Sequence, residues 1–204
     1  MLNVLFAGLI ASGCIILVNL LLTLRLVQWL RSLENLQKQQ KENETLPELA
    51  VNTSAPGFTA KTLAGKWTRL SDYAGRSIVL IFVSPHCGHC RQKMPELITL
   101  DMRAQEQAGV KFVLVSDSSA TETYAWVESI RIEDKVEVTL PMLIAPRPSE
   151  LLKAYNPRGL TPYYCFINGQ GIVQARGPLG MGEWLRLQRE WEGLQARSIS
   201  HLFT

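Results

Sequence analysis

The sequence predicts an α/β fold built on a mixed β-sheet, and three observations carry that prediction. The continuous apolar run 78–83 (IVLIFV) and the run 110–115 (VKFVLV), apolar but for Lys111, are rich in β-branched residues and read as buried strands. A helix-length segment from Cys87 to about Gln107 separates them, as parallel neighbours require. Near the C-terminus, 163–167 and 172–176 flank Asn168-Gly169 and read as a hairpin that ends the sheet.

The elements follow in chain order. Residues 4–24 carry no charge and would span about 30 Å as a helix, the thickness of a hydrocarbon core. Ser12, Asn19 and Thr23 do not form a polar stripe, so the segment reads as a membrane anchor that contacts the lipid bilayer. A cleaved leader fits less well, because no Lys or Arg precedes the run and the run is too long. Cys14 in Ala11-Ser12-Gly13-Cys14 faintly matches a lipoprotein cleavage box, but the uncharged run continues past it. Residues 25–54 read as a helical, then polar linker: Leu26, Leu30, Leu33 and Leu36 repeat at helical spacing before the stretch 37–48 (QKQQKENETLPE). Residues 55–204 are the expected globular domain. Within it, 58–62 and 67–70 flank Ala64-Gly65 as a first hairpin. Residues 121–130 read as a helix, 142–145 as a short strand and 149–155 as a short helix. Residues 182–197 read as an amphipathic helix with Trp184, Leu185, Trp191 and Leu194 on its buried side.

Composition narrows the function. The 204 residues are 47% hydrophobic and 19% charged, which fits a packed domain and excludes a disordered or collagen-like chain. A net charge of +3 is too small an excess to suggest a nucleic-acid partner. Four cysteines are too few for a disulfide-stapled scaffold. Two of them are close together.

Pro85-His86-Cys87-Gly88-His89-Cys90 lies where the first buried strand gives way to a helix. Cysteines at i and i+3 share one helical face, with Cα atoms roughly 5 Å apart, within disulfide reach. Cys87 would stand at the helix N-terminus, where free N–H groups and the dipole favour an anionic sulfur. His89, between the cysteines, adds a donor or positive charge near that sulfur. Cys90 lies one turn further in. Cys87 is therefore the expected nucleophile and Cys90 the thiol that resolves a mixed disulfide. Pro95 interrupts the same helix. Thr161-Pro162 stands immediately before an apolar strand, where a cis bond in a tight turn is expected.

These markers identify the region from about Ala55 to Gly180 as resembling the thioredoxin superfamily, in its membrane-anchored TlpA/ResA-like branch that includes the MauD-type maturation proteins. The resemblance rests on Ala55-Pro56-Gly57-Phe58, residues 70–75, residues 78–90, Met94-Pro95-Glu96-Leu97, Leu160-Thr161-Pro162 and residues 166–171. It implies a thioredoxin-like fold and dithiol–disulfide exchange with protein substrates. It implies a membrane or extracytoplasmic redox partner, and no cofactor or metal beyond a redox-active Cys87–Cys90 disulfide. Pro162 would be the cis-proline facing that disulfide, with Thr161, His86 and Pro85 as substrate contacts. The inner Gly88-His89 resembles that of protein disulfide isomerases, whose couple lies near about −180 mV against about −270 mV for thioredoxin. One departure stands out. The residue three past Cys90 is Lys93 rather than an acid, and the strand before the motif is wholly apolar, so no proton acceptor for Cys90 is evident.

Other chemistries fit less well. A zinc site needs four ligands around one ion, and Cys87, Cys90, His86 and His89 are too close in sequence to close a tetrahedron. A copper chaperone of the Sco type uses a wider C-x-x-x-C and a distant His. A thiol peroxidase of the related peroxiredoxin type would carry Pro and Thr where this chain has Leu80 and Ser84. Cys165 reads as a small buried hydrophobe, and Tyr163 and Tyr164 as sheet packing. Membrane orientation is contested within the sequence. Arg25, Arg31, Lys38 and Lys41 all follow the span, which points the domain to the cytoplasm. Thiol exchange is useful where protein disulfides persist, and an extracytoplasmic domain is the expectation.

Overall fold

The computed structural model describes residues 48–193 together with Leu20, Thr23 and Arg25. The chain divides into two compact units, Met1–Leu46 and Pro47–Thr204. In the first, the three described residues are helical. Apart from these three, the span expected over 4–24 and the linker up to residue 47 lie outside the described residues, as does Cys14. Among the described residues no helix is long and apolar enough to cross a membrane.

The second unit holds a seven-stranded mixed sheet. Its strands are β1 (Thr59–Thr62), β2 (Trp67–Arg69), β3 (Ser77–Val83), β4 (Val110–Ser116), β5 (Met142–Ile144), β6 (Tyr163–Ile167) and β7 (Val173–Pro178). Their order is β2-β1-β5-β4-β3-β6-β7. β3, β4 and β5 run parallel, and β1, β2, β6 and β7 pair antiparallel with their neighbours. The helices are α1 (Gly88–Ala108), α2 (Ala120–Ser129), α3 (Glu150–Tyr155) and α4 (Glu183–Trp191). The α/β class, the mixed sheet and the two hairpins are therefore as the sequence predicts.

Side-chain alternation along β3 builds two cores. Val79, Ile81 and Val83 pack on one face with Met94 and Leu97 of α1, Trp126 and Ile130 after it, and α4. Ile78, Leu80 and Phe82 pack on the other face with α3 and Phe58. Both faces of β3 are covered, which is why its sequence is continuous rather than alternating. Asp101 locks α1 to β4: its carboxylate accepts from the Phe112 backbone N–H at 2.7 Å and from Gln105 Nε2. α1 ends at Gly109, whose left-handed φ of 62° lets its N–H reach the last carbonyls. α2 opens with a capping box, Ser119 and Glu122 bonding each other's backbone.

Three details differ from the sequence reading. On α4 the buried stripe is Trp184, Leu187 and Trp191, while Leu185 is 48% exposed. Spacing of i, i+3 and i+7 keeps one face, and a residue one step from Trp184 is turned about 100° away. Leu194 lies outside the described residues. The β6–β7 connection spans residues 168–172 rather than a two-residue turn. The Asn168 side chain accepts from the backbone N–H groups of Gln170 and Ile172, and Gly171 takes the positive φ of 76°. Finally, α2 runs on into a π-turn, Ile130–Asp134, ended by Lys135 at φ 58°. Residues 48–54, the end of the expected linker, bond the terminal hairpin and the segment before it: Asn52 N–H donates to Val173 O at 2.8 Å, and Glu48 pairs with Arg176 of β7 and with Arg158 ahead of β6.

Candidate active site

Two chain segments meet at the C-terminal edge of the parallel strands. The first is residues 84–90, which leave the end of β3 and enter α1. The second is residues 156–162, which lead into β6. Strand register brings them together, because Phe82 of β3 pairs with Tyr163 of β6 and so places Pro162 beside the start of the motif. The Thr161-Pro162 peptide is cis, as the sequence suggests, and Arg147-Pro148 is cis as well.

Cys87 is the N-cap of α1. Its Sγ accepts a hydrogen bond from the Cys90 backbone N–H at 3.2 Å and donates to the Thr161 carbonyl at 3.5 Å. A turn from Ser84 O to the Cys87 N–H, 3.0 Å, shapes the approach. The Ser84 hydroxyl, itself buried, accepts from the His86 N–H. Cys87 is half-buried, so its sulfur is reachable, whereas Cys90 is fully buried. The two are unbridged thiols, as is Cys165.

Burial governs the second thiol. Cys90 is pushed from the ordinary 9.0 up to about 12, first by desolvation and then by its bond to Cys87. Hydrogen bonds from Ser84 and Thr161 oppose the rise without cancelling it. No carboxylate or Lys acts on this thiol, and Lys93, which stands where an acid was expected, is ion-paired with Glu96 at 2.6 Å. Cys165, paired across the sheet with Leu80, is likewise raised to about 12 by burial alone. It behaves as a small core residue.

His86 and His89 are both exposed, and Pro85 is half-buried between the buried Ser84 and His86. His86 lies near the start of α2, where its charge assists Ser119 in holding the Glu122 carboxyl below its usual range. Arg91, one residue past Cys90, reaches Asp134 at 2.6 Å and Glu133 at 2.9 Å, and bonds Ser129, so the π-turn is fastened to the start of α1. Beside the motif lies a cleft of about 480 Å³ between Gly88, Arg91 and Pro95 of α1 and Ile130, Asp134 and Val136. Among the described residues no group of three or more His, Cys, Asp or Glu is placed to hold a metal ion.

Sequence reasoning did not single out Asn156 or Arg147. Asn156 is buried, and its amide bonds both the carbonyl and the N–H of Leu160, next to Thr161. The signal was present: Asn156-Pro157-Arg158-Gly159 is a turn signature. Arg147 carries no such local signal, since its partners lie 30 and 12 residues away.

Comparison with known proteins gives a consistent result. The AhpC/TSA family model matches residues 51–176, more than half of the chain. The thioredoxin-like protein YneN of Bacillus subtilis (strain 168) is 33% identical over 120 residues, which cover 59% of this chain and 66% of that protein. The thiol-disulfide oxidoreductase ResA of Geobacillus kaustophilus (strain HTA426) is 32% identical over 126 residues, 62% of this chain and 68% of that protein. The matched stretch thus spans about two thirds of the length of these curated relatives. Among solved structures, the exposed lipoprotein thioredoxin Etrx1 of Streptococcus pneumoniae strain TIGR4 superposes with a TM-score of 0.52 at 25% identity. It covers 67% of this chain and 99% of its own.

Proposed function

The chain belongs to the AhpC/TSA family and is a thioredoxin-like thiol–disulfide oxidoreductase, and on that premise we propose that it exchanges dithiol for disulfide with protein substrates through Cys87 and Cys90. One observation carries the reading: the sulfur of half-buried Cys87 bonds the Thr161 carbonyl of the cis Thr161-Pro162 peptide, with Cys90 buried one turn below.

In the reducing direction, the Cys87 thiolate attacks a substrate disulfide. A mixed disulfide forms on Cys87, and the first substrate sulfur leaves and takes up a proton. Cys90 then gives up its proton and attacks the Cys87 sulfur. The Cys87–Cys90 bond forms and the second substrate thiol departs, so two electrons pass from the chain to the substrate. The oxidising direction is the same path reversed. No cofactor takes part beyond that disulfide. Burial of the Cys90 thiol holds back the second step until substrate docking or base removes its proton. Pro162 faces the exchanging sulfurs, and the Thr161 backbone offers a substrate chain a place to pair. His89, His86 and Pro85 border the site. Leu160 and Met181, 41% and 66% exposed, lie on the segments that flank Pro162, and such apolar side chains suit a polypeptide partner better than a small thiol.

The domain is proposed to be anchored by residues 4–24 and to work outside the cytoplasm, as a thiol-exchange domain is useful where disulfides persist. An exposed lipoprotein among the similar structures supports that placement. Labelling of Cys87 by an impermeant maleimide on intact cells, with any outer membrane opened, checks it; labelling only after lysis overturns it.

The exchange reading is tested with Cys90→Ser, which removes the resolving thiol. Partner proteins are expected to accumulate as dithiothreitol-sensitive adducts on Cys87, absent from the Cys87→Ser, Cys90→Ser double variant. A Cys90→Ser chain that traps no protein contradicts the proposal.

A further inference from the structure

The segment that faces the Cys87 sulfur is held from behind by a pair of charged side chains that touch neither thiol. Asp117 follows β4 and donates its backbone N–H to Val83 O at 3.2 Å, so it is pinned to the strand end from which the motif departs. Its side chain is 12% exposed. Arg147, before the cis-Pro148, donates its own backbone N–H to Asp117 O at 3.2 Å. Its guanidinium donates Nε and Nη2 to Asp117 Oδ2, at 3.2 and 3.1 Å. The same Nη2 donates to Gly159 O at 2.9 Å. Two residues on is Thr161, whose carbonyl accepts from Cys87. A closed circuit results: end of β3, Asp117, Arg147, Gly159, Thr161, Cys87.

We infer that Asp117 and Arg147 are positioning residues for substrate docking: their ion pair sets the 159–162 segment against the Cys87 sulfur. The inference rests on the exchange function proposed above. Three features support it. The guanidinium joins two segments that sheet pairing does not connect, which the planar fork of Arg suits and a Lys ammonium does not. Gly159 has φ 62°, and a Cβ there would lie 1.9 Å from Arg147 Nη1, so the close approach requires glycine. Asn156 fixes the neighbouring Leu160 through both ends of its side-chain amide, so the segment is held at Leu160 by Asn156, at Gly159 by Arg147 and, from Tyr163 on, by pairing with β3.

The test uses the full-length chain in detergent. Two rates are measured: reduction of a protein disulfide such as insulin, and reaction with a small aromatic disulfide that has no chain to dock. Arg147→Met is expected to lower the ratio of the first rate to the second by about tenfold, the scale of one charge-assisted hydrogen bond. Asp117→Asn, which keeps the side chain's size, and Gly159→Ala, which displaces the guanidinium, should lower the ratio in the same sense, and Arg147→Lys should recover part of it. A merely structural role would depress both rates together and leave the ratio alone. An unchanged ratio in all three variants overturns the positioning role while leaving thiol exchange intact. A wild-type chain that reduces no protein disulfide overturns the exchange reading and this inference with it.

Discussion

Cys90 offers the sharpest quantitative check on the site. With Cys87→Ser, Cys90 is the remaining motif thiol, and its main constraint, burial, is untouched. Between the ordinary thiol value of 9.0 and about 12 lie three decades of proton activity. Replacing Cys87 removes the bond and charge that add to the rise, so at neutral pH the thiolate in this variant should be rarer than that of a free cysteine by up to about a thousandfold. Full burial of the sulfur slows reagents further. The assay is iodoacetamide alkylation followed by peptide mass spectrometry, which separates Cys90 from Cys14 and Cys165. It is run on the folded chain and on the chain in denaturant across pH 7 to 10. The folded rate should trail the unfolded rate by about a hundredfold or more at pH 7 and climb about tenfold per pH unit without levelling. Folded and unfolded rates within tenfold, or a plateau near pH 9, would refute the claim that burial stores this thiol in its protonated form.

Two further outcomes concern stability. Trp184 packs against Tyr164 at 4.9 Å between ring centroids and against Phe112 and Trp191. Trp184→Ala should cost about 3–5 kcal/mol in urea unfolding, while Leu185→Ala, on the exposed face, should stay within about 0.5 kcal/mol. Comparable losses at the two positions would contradict the placement of α4. For Cys165, burial raises the folded thiol to about 12 while the unfolded thiol keeps its ordinary value. Its contribution is full below pH 9 and is lost as pH rises toward 12, at up to about 1.4 kcal/mol per pH unit. Cys165→Ala should flatten that decline in a pH series of unfolding midpoints, and an unaltered slope would show that the thiol titrates normally.

Much of this architecture is legible in the sequence because its signals are local. The strand 78–83 is apolar throughout and 110–115 is apolar but for Lys111, since both faces are covered, and a C-x-x-C at the strand–helix junction leaves little choice for where α1 begins. Cis-Pro162 was readable because a proline at the first residue before a strand cannot extend its ladder. What was not legible depends on partners distant in the chain. Arg147 looks like an ordinary surface arginine until β4, the 156–162 segment and the end of β3 are brought side by side. The α4 stripe was misassigned at Leu185 because Trp184 and Leu185 are adjacent apolar residues, and only packing against Phe112 and Tyr164 chooses between their faces. The missing acid is legible at Lys93 and in the apolar strand before the motif, whereas the high barrier to ionising Cys90 follows from its burial, which only the packed fold supplies.

Redox titration of the full-length chain in graded glutathione buffers tests the central claim most directly, with each equilibrium quenched by alkylation and read at the peptide carrying both motif cysteines. A single reversible two-electron transition between a Cys87–Cys90 disulfide and two free thiols is the expected result, changing tenfold in ratio for about every 30 mV. A midpoint near about −180 mV would mark a donor or shuffler of disulfides, and one near about −270 mV a reductant. Thiols that stay unbridged across the whole range, or a bridge that forms to Cys165 instead, would contradict the account.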